Sequence, residues 1–178
     1  MPVEPRPDDI RLRTWPDPVL REVALPVPEV TASIRRLAEQ MLTIMHDAPG
    51  VGLAAPQVGV SLRLFVANAT GEPEQDEVYI NPVLEALADA PLEPFEEGCL
   101  SLPDIRGEIT RPAAIRICYT TLAGEQVCRE ADGLLARIWQ HETDHLDGRL
   151  ILDRMPRIDR LAARRRLREL EEGYEGRR

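Results

Sequence analysis

The chain has 178 residues, 43% of them hydrophobic and 30% charged, a globular balance with enough length to bury one substantial core. A net charge of -9 argues against the basic footprint that phosphate recognition needs, so no direct nucleic-acid specificity is expected. No stretch approaches the run of about 20 apolar residues of a membrane span, and the opening MPVEPRPDD has no apolar signal core. Three cysteines without an export signal point to a reducing, cytoplasmic setting, where Cys118 and Cys128 are expected to stay reduced. All 22 basic residues are arginine, which reads as base composition and carries no function.

One domain spanning 1–178 is expected, with residues 1–9 as a loose tail. Pro28 and Glu29 read as a helix start, and Val30, Ile34, Leu37, Met41 and Met45 form a stripe that predicts an amphipathic helix over 28–47. His46, near its end, complements the dipole and is not read as a ligand. The segment 47–59 combines Gly50, Gly52, Pro56 and Gly59 with apolar Val51, Leu53, Ala54 and Ala55, for which a plain surface loop has little use. Residues 62–67 and 77–84 read as strands. Ile115, Ile117 and Tyr119 alternate with Arg116, Cys118 and Thr120, a half-buried strand that turns at Ala123-Gly124 and returns over 126–130. Asp132 serves as N-cap and Gly148 as the closing residue of the next helix. An arginine-rich helix over 157–172 follows, offering Ile158, Leu161, Leu167 and Leu170 for packing and a solvated charged face. Short consecutive strands with interspersed helices favour α+β: small antiparallel sheets around a central helix, with a C-terminal helix.

That central helix carries Gln140-His-Glu-Thr-Asp-His-Leu-Asp-Gly148, an HExxH motif. His141 and His145 lie on one helical face and suit a single cation, and Glu142 suits a general base. Leu134 and Ile138 share that face, which places the ligands on the buried side. HExxH also arises by chance on ordinary helices, and two histidines leave a catalytic site one protein ligand short. Glu169, Glu171 and Glu172 are distant candidates without a surrounding motif. Cys99 in Glu97-Gly-Cys-Leu-Ser101 is the better one: a thiolate suits a borderline-soft cation, and Gly98 allows close approach.

GVGLAAPQ at 50–57, EGCLS at 97–101 and QHETDHLDG at 140–148 resemble, in order and spacing, the three motifs of the peptide deformylases. PDPVLR at 16–21 is similar to the family's N-terminal region, so the resemblance covers about 140 residues. It implies a metal-dependent hydrolase that removes the N-formyl group from formyl-methionyl nascent peptides and releases formate, an N-terminal processing step of protein biosynthesis. It implies Cys99, His141 and His145 as ligands of one divalent ion, ferrous iron in vivo with zinc, nickel or cobalt accepted. It further implies Glu142 as general acid/base and Gln57 with the backbone N–H of Leu100 as oxyanion donors. Val51, Gly52, Phe95, Leu100, Leu134 and Ile138 fall at the pocket for the methionine side chain, and Arg106 at a contact to the peptide. Arg137 stands where some relatives have an apolar residue; its stem is expected to cover the pocket while the guanidinium reaches solvent. Glu97, Arg111 and Asp144 are expected to form a charge network behind the ligands. The acidic total charge neither requires nor excludes a transient ribosome contact through the C-terminal helix. Two other readings are a metalloprotease with a distal carboxylate ligand and a non-catalytic binding protein of the same shape. The presence of Glu142, Gln57 and all three ligands speaks against the latter.

Overall fold

The computed structural model describes residues 10–174, so the tail expected at 1–9 lies outside the described residues. The first helix, α1, spans Ala32–Asp47. It starts later than Pro28 suggested because the Thr31 hydroxyl accepts from the Ile34 N–H at 3.4 Å and so sets the N-cap. Ile34, Leu37, Met41 and Met45 of the apolar stripe are buried, while Val30 precedes the helix and is partly buried.

Seven strands follow: β1 (Gly52–Ala54), β2 (Leu64–Ala67), β3 (Glu77–Ala86), β4 (Leu92–Cys99), β5 (Leu102–Pro112), β6 (Ala114–Thr120) and β7 (Gln126–Asp132). Five form an antiparallel sheet in the order β1-β2-β3-β6-β7, while β4 and β5 pair separately as a two-stranded sheet. In β2 every side chain is buried, with opposite faces serving opposite cores. Leu64 and Val66 join α1, whereas Phe65 and Ala67 join Tyr79, Ile117 and the helix α2 (Gly133–Leu146). The large sheet is thus covered on both sides at β2, and each fully buried Leu, Met or Phe contributes roughly 1.5–3 kcal/mol.

In the β6–β7 hairpin Ile115, Ile117 and Tyr119 point inward as their alternation predicts. Cys118 and Cys128 occupy directly opposed positions of this hairpin. They are joined as a disulfide, which corrects the expectation of two free thiols. The turn at Thr121–Glu125 sets the hairpin register, and that register places the two sulfurs opposite one another.

The two-stranded sheet is absent from the sequence reading. Leu102, Ile105, Ile109 and Arg111 of β5 point inward, but an inward arginine and flanking prolines break the apolar alternation that announces a strand. Its inner face packs on the short helix α3 (Ile151–Arg154) and on α4 (Arg157–Glu172), whose limits agree with the expected 157–172. Gly148 closes α2 at φ 69°, and a Cβ there would stand 2.6 Å from the Arg21 carbonyl oxygen, so glycine is required. Among the described residues no helix is long and apolar enough to cross a membrane.

Candidate metal centre and active site

Three elements converge on α2. Gly52 of β1 lies against Ile138 and Glu142 in the middle of the helix, the β4–β5 turn brings Cys99 to His145, and Arg154 of α3 holds Asp144 near the C-terminal end. Between them lies a cleft of about 470 Å³ lined by Val51, Gly52, Gln57, Phe95, Cys99, Leu100, Arg106, Leu134, Arg137, Ile138, His141 and Glu142. Residues implied by three separated motifs therefore share one cavity.

At its floor the Nε2 atoms of His141 and His145 stand 3.3 Å apart, and Cys99 Sγ lies 3.3 Å from His145 Nε2. All three donor atoms fall within 4.8 Å of one another. Nitrogen and sulfur ligands at about 2.0–2.3 Å from a common tetrahedral centre stand about 3.3–3.6 Å apart, so the spacing fits one transition-metal ion. The donor chemistry fits too, since two imidazoles and a thiolate suit zinc or iron better than calcium or magnesium. Glu169, Glu171 and Glu172 are not part of this cluster. Glu169 pairs with Arg165 and Arg166, and Glu171 accepts from Trp15 Nε1 at 3.0 Å.

His141 is oriented from behind. Its Nδ1 lies 3.0 Å from Glu97 Oε2, which leaves Nε2 directed at the other ligands. Glu97 also receives two bonds from Arg111, Nε to Oε1 at 2.7 Å and Nη2 to Oε2 at 2.9 Å. Arg111 Nη1 then donates to Asp144 at 2.8 Å, and Arg154 grips the same carboxylate from α3. The expected contacts of Glu97, Arg111 and Asp144 are thus present, extended by Arg154. Burial opposes ionisation of Glu97, but the bonds from Arg111 and His141 outweigh it and hold the carboxyl well below the usual range. Burial likewise opposes the charge on His141, yet Cys99 and Glu97 hold its pKa above normal, whereas burial and the His141 charge hold His145 below it.

Glu142 meets a different environment. It is 4% exposed, its Oε2 has no hydrogen-bond partner among the described residues, and burial pushes its pKa up to about 7. Gly52 is what gives it room: a Cβ there would sit 2.5 Å from Glu142 Oε1 and 2.9 Å from Ile138 Cγ2. A carboxylate within reach of the ligands and titrating near neutrality has the properties of a general base.

Gln57 is buried and fixed by its amide oxygen, which accepts from the Ala54 N–H at 2.8 Å. Its Nε2 donates to Ser101 Oγ at 3.1 Å and lies 3.6 Å from Cys99 Sγ, so the amide donor is held at the ligand cluster. Ser101 was not singled out from the sequence, although it ends the EGCLS motif. Leu100 stands in the turn between Cys99 and Ser101.

Around the rim, Ile138 and Gly52 are buried while Val51, Phe95 and Leu134 are about half exposed, giving an apolar entrance. Arg106 pairs loosely with Glu96 at 3.5 Å and remains open to solvent at the cleft edge. Arg137 departs from expectation. Its side chain is only 12% exposed, and the guanidinium turns inward to Glu97 Oε1 at 2.8 Å, the Ile109 carbonyl at 3.0 Å and the Glu93 carbonyl at 2.9 Å. Three acceptors converging on it outcompete water for donors of the fork. His46 lies outside the site, in the last turn of α1 opposite Asp76.

The family model described as polypeptide deformylase matches residues 10–161. A peptide deformylase of Rhizobium meliloti (strain 1021) is 49% identical over 147 residues, covering 82% of this chain and 84% of the relative. Among solved structures, a plant peptide deformylase matches with a TM-score of 0.90 at 36% identity, covering 96% of this chain and 94% of that one. One from Legionella pneumophila matches at 0.85 and 36%, covering 92% and 95%.

Proposed function

This chain belongs to the peptide deformylase family, and on that premise we propose how its own residues carry the family's hydrolysis. The protein removes the N-formyl group from newly synthesised polypeptides and releases formate. The observation that carries the residue assignments is the meeting of a three-donor cluster, a base with a pKa near 7 and a fixed amide donor in one apolar cleft.

Cys99, His141 and His145 would hold one divalent metal ion, which when bound would supply Lewis acidity to the formyl oxygen and acidity to the attacking water. Glu142 takes the proton as water adds to the formyl carbon. As the C–N bond breaks, the same carboxyl returns a proton to the departing amine, so formate and a free N-terminus leave. Gln57 Nε2 and the Leu100 N–H donate to the oxyanion that develops, where preorganised donors are worth most. Val51, Gly52, Leu100, Leu134 and Ile138, with Phe95 at the mouth, receive the methionine side chain, and Arg106 contacts the following peptide.

We assign ferrous iron as the native ion on the strength of the family resemblance, with zinc, to which the thiolate and imidazole donors by themselves are equally suited, nickel and cobalt as functional substitutes. The chain acts as a single catalytic domain. Because its substrate is a nascent chain, the cytoplasm is the compartment we assign, and α4 is the surface for any transient ribosome contact. Anaerobically prepared protein loaded with iron or nickel is expected to release formate from formyl-Met peptides. Absence of turnover in that preparation overturns the reading.

A further inference from the structure

Arg137 does more than line the cleft. One guanidinium bonds Glu93 on β4, Ile109 on β5 and Glu97, and its Cζ lies 5.2 Å from the centre of the Phe95 ring. Its own backbone belongs to α2, one turn before His141. A single side chain therefore joins the helix bearing the ligands to both strands of the opposite wall. Phe95 itself is 57% exposed, and the Arg137 guanidinium is the cation set over its ring. Stacking a desolvated arginine on an aromatic face is favourable, and the planar fork loses less order per bond formed than an ammonium would.

We propose that Arg137 is a positioning residue that sets substrate selectivity, because its fork fixes the separation between α2 and the Phe95 wall of the cleft. This goes beyond deformylation and rests on that reading for the identity of the substrate. The brace holds Phe95 in one place, so the mouth admits an unbranched, methionine-sized side chain and excludes an aromatic one. Without it, β4 keeps its pairing to β5, but the Phe95 ring is released and the mouth widens. Lysine cannot replace it, since a point charge does not reach three divergent acceptors and does not stack in the same way.

The test compares wild type, Arg137→Met, Arg137→Lys and Phe95→Leu, each checked for metal content and melting temperature. Formate release is measured on formyl-Met-Ala-Ser and formyl-Phe-Ala-Ser, and calorimetric affinity on the deformylated peptides. Both Arg137 variants are expected to raise KM for the methionyl substrate about tenfold, with kcat changed far less and relative kcat/KM shifting towards phenylalanine. Phe95→Leu, which removes the ring and spares the fork, shifts selectivity the same way by a smaller factor. The proposal is overturned if the preference between the two peptides is unchanged, if Arg137→Lys restores wild-type selectivity, or if kcat falls equally on both substrates together with metal content. Wild type that releases no formate sinks the deformylase reading instead. In that case, altered product-peptide affinity in Arg137→Met still supports the brace, and unaltered affinity removes it.

Discussion

The two flanks of α2 treat a carboxylate in opposite ways. Towards β4, β5 and α3, Glu97 is buried among Arg111, Arg137 and His141, and the bonds from Arg111 and His141 drive its pKa down against the effect of burial. Towards β1, Glu142 is buried beside Gly52 and Ile138 with one oxygen unpartnered, and burial drives its pKa up to about 7. Depth alone thus predicts neither value. What differs is whether donors accompany the carboxylate into the interior. The first arrangement makes a permanent anion that orients a ligand; the second makes a group able to exchange protons at neutral pH.

The largest effect that sharpens this contrast is kinetic. Glu142→Ala is expected to retain metal while turnover falls by roughly 10²–10⁴-fold, a loss typical of removing a general base. Metal analysis and formate release on one sample check it, and unchanged turnover would take Glu142 out of its role. On the opposite flank the loss is in stability. Arg111→Met strands Glu97 and Asp144 in the interior, and a destabilisation of about 3–5 kcal/mol in urea unfolding is expected. A shift of only a few tenths of a kcal/mol would mean that Arg137 and Arg154 already suffice for the two carboxylates.

The smallest effect is a pair of opposite pH dependences in metal-free protein. The folded-state pKa of Glu97 lies below its ordinary 4.5, so its stabilisation is complete above that pH and is lost as pH falls below it. For Glu142 the folded value is raised, so its contribution is full below about 4.5 and is lost as pH rises through about 7. Urea midpoints between pH 4 and 8 should therefore lose their alkaline decline in Glu142→Gln. Those between pH 3 and 6 should lose part of their acid decline in Glu97→Gln. Identical slopes in both variants and wild type would erase the distinction between the flanks.

Much of this site is legible in the linear chain because its chemistry is local. His141 and His145 share a face through helical geometry alone, and Glu142 is adjacent by sequence. Cys99 and Gln57 are readable only as parts of motifs, since nothing local brings residues 42 and 44 positions apart to one sulfur and one hydroxyl. Strands with one apolar face, such as β6, announce themselves. The strand β5 does not, because its inward Arg111 follows the demand of two carboxylates from elsewhere. The Cys118–Cys128 bond escaped for the opposite reason: its geometry is that of the hairpin, but the expectation followed the redox habit of the cytoplasmic setting expected from the sequence.

By itself the sequence determined the helix over 157–172, the inward stripe of α1, the α+β class and the family of the reaction, because periodicity and motif spacing are written residue by residue. Tertiary structure alone decided the two things on which the site's behaviour turns. Glu142 becomes a neutral-range base only because β1 offers a glycine and no donor to one of its oxygens. Arg137 leaves solvent only because Glu93, Glu97 and Ile109 converge from two strands on one guanidinium. Desolvation and hydrogen-bond convergence depend on what the rest of the fold places nearby, and no local pattern encodes them.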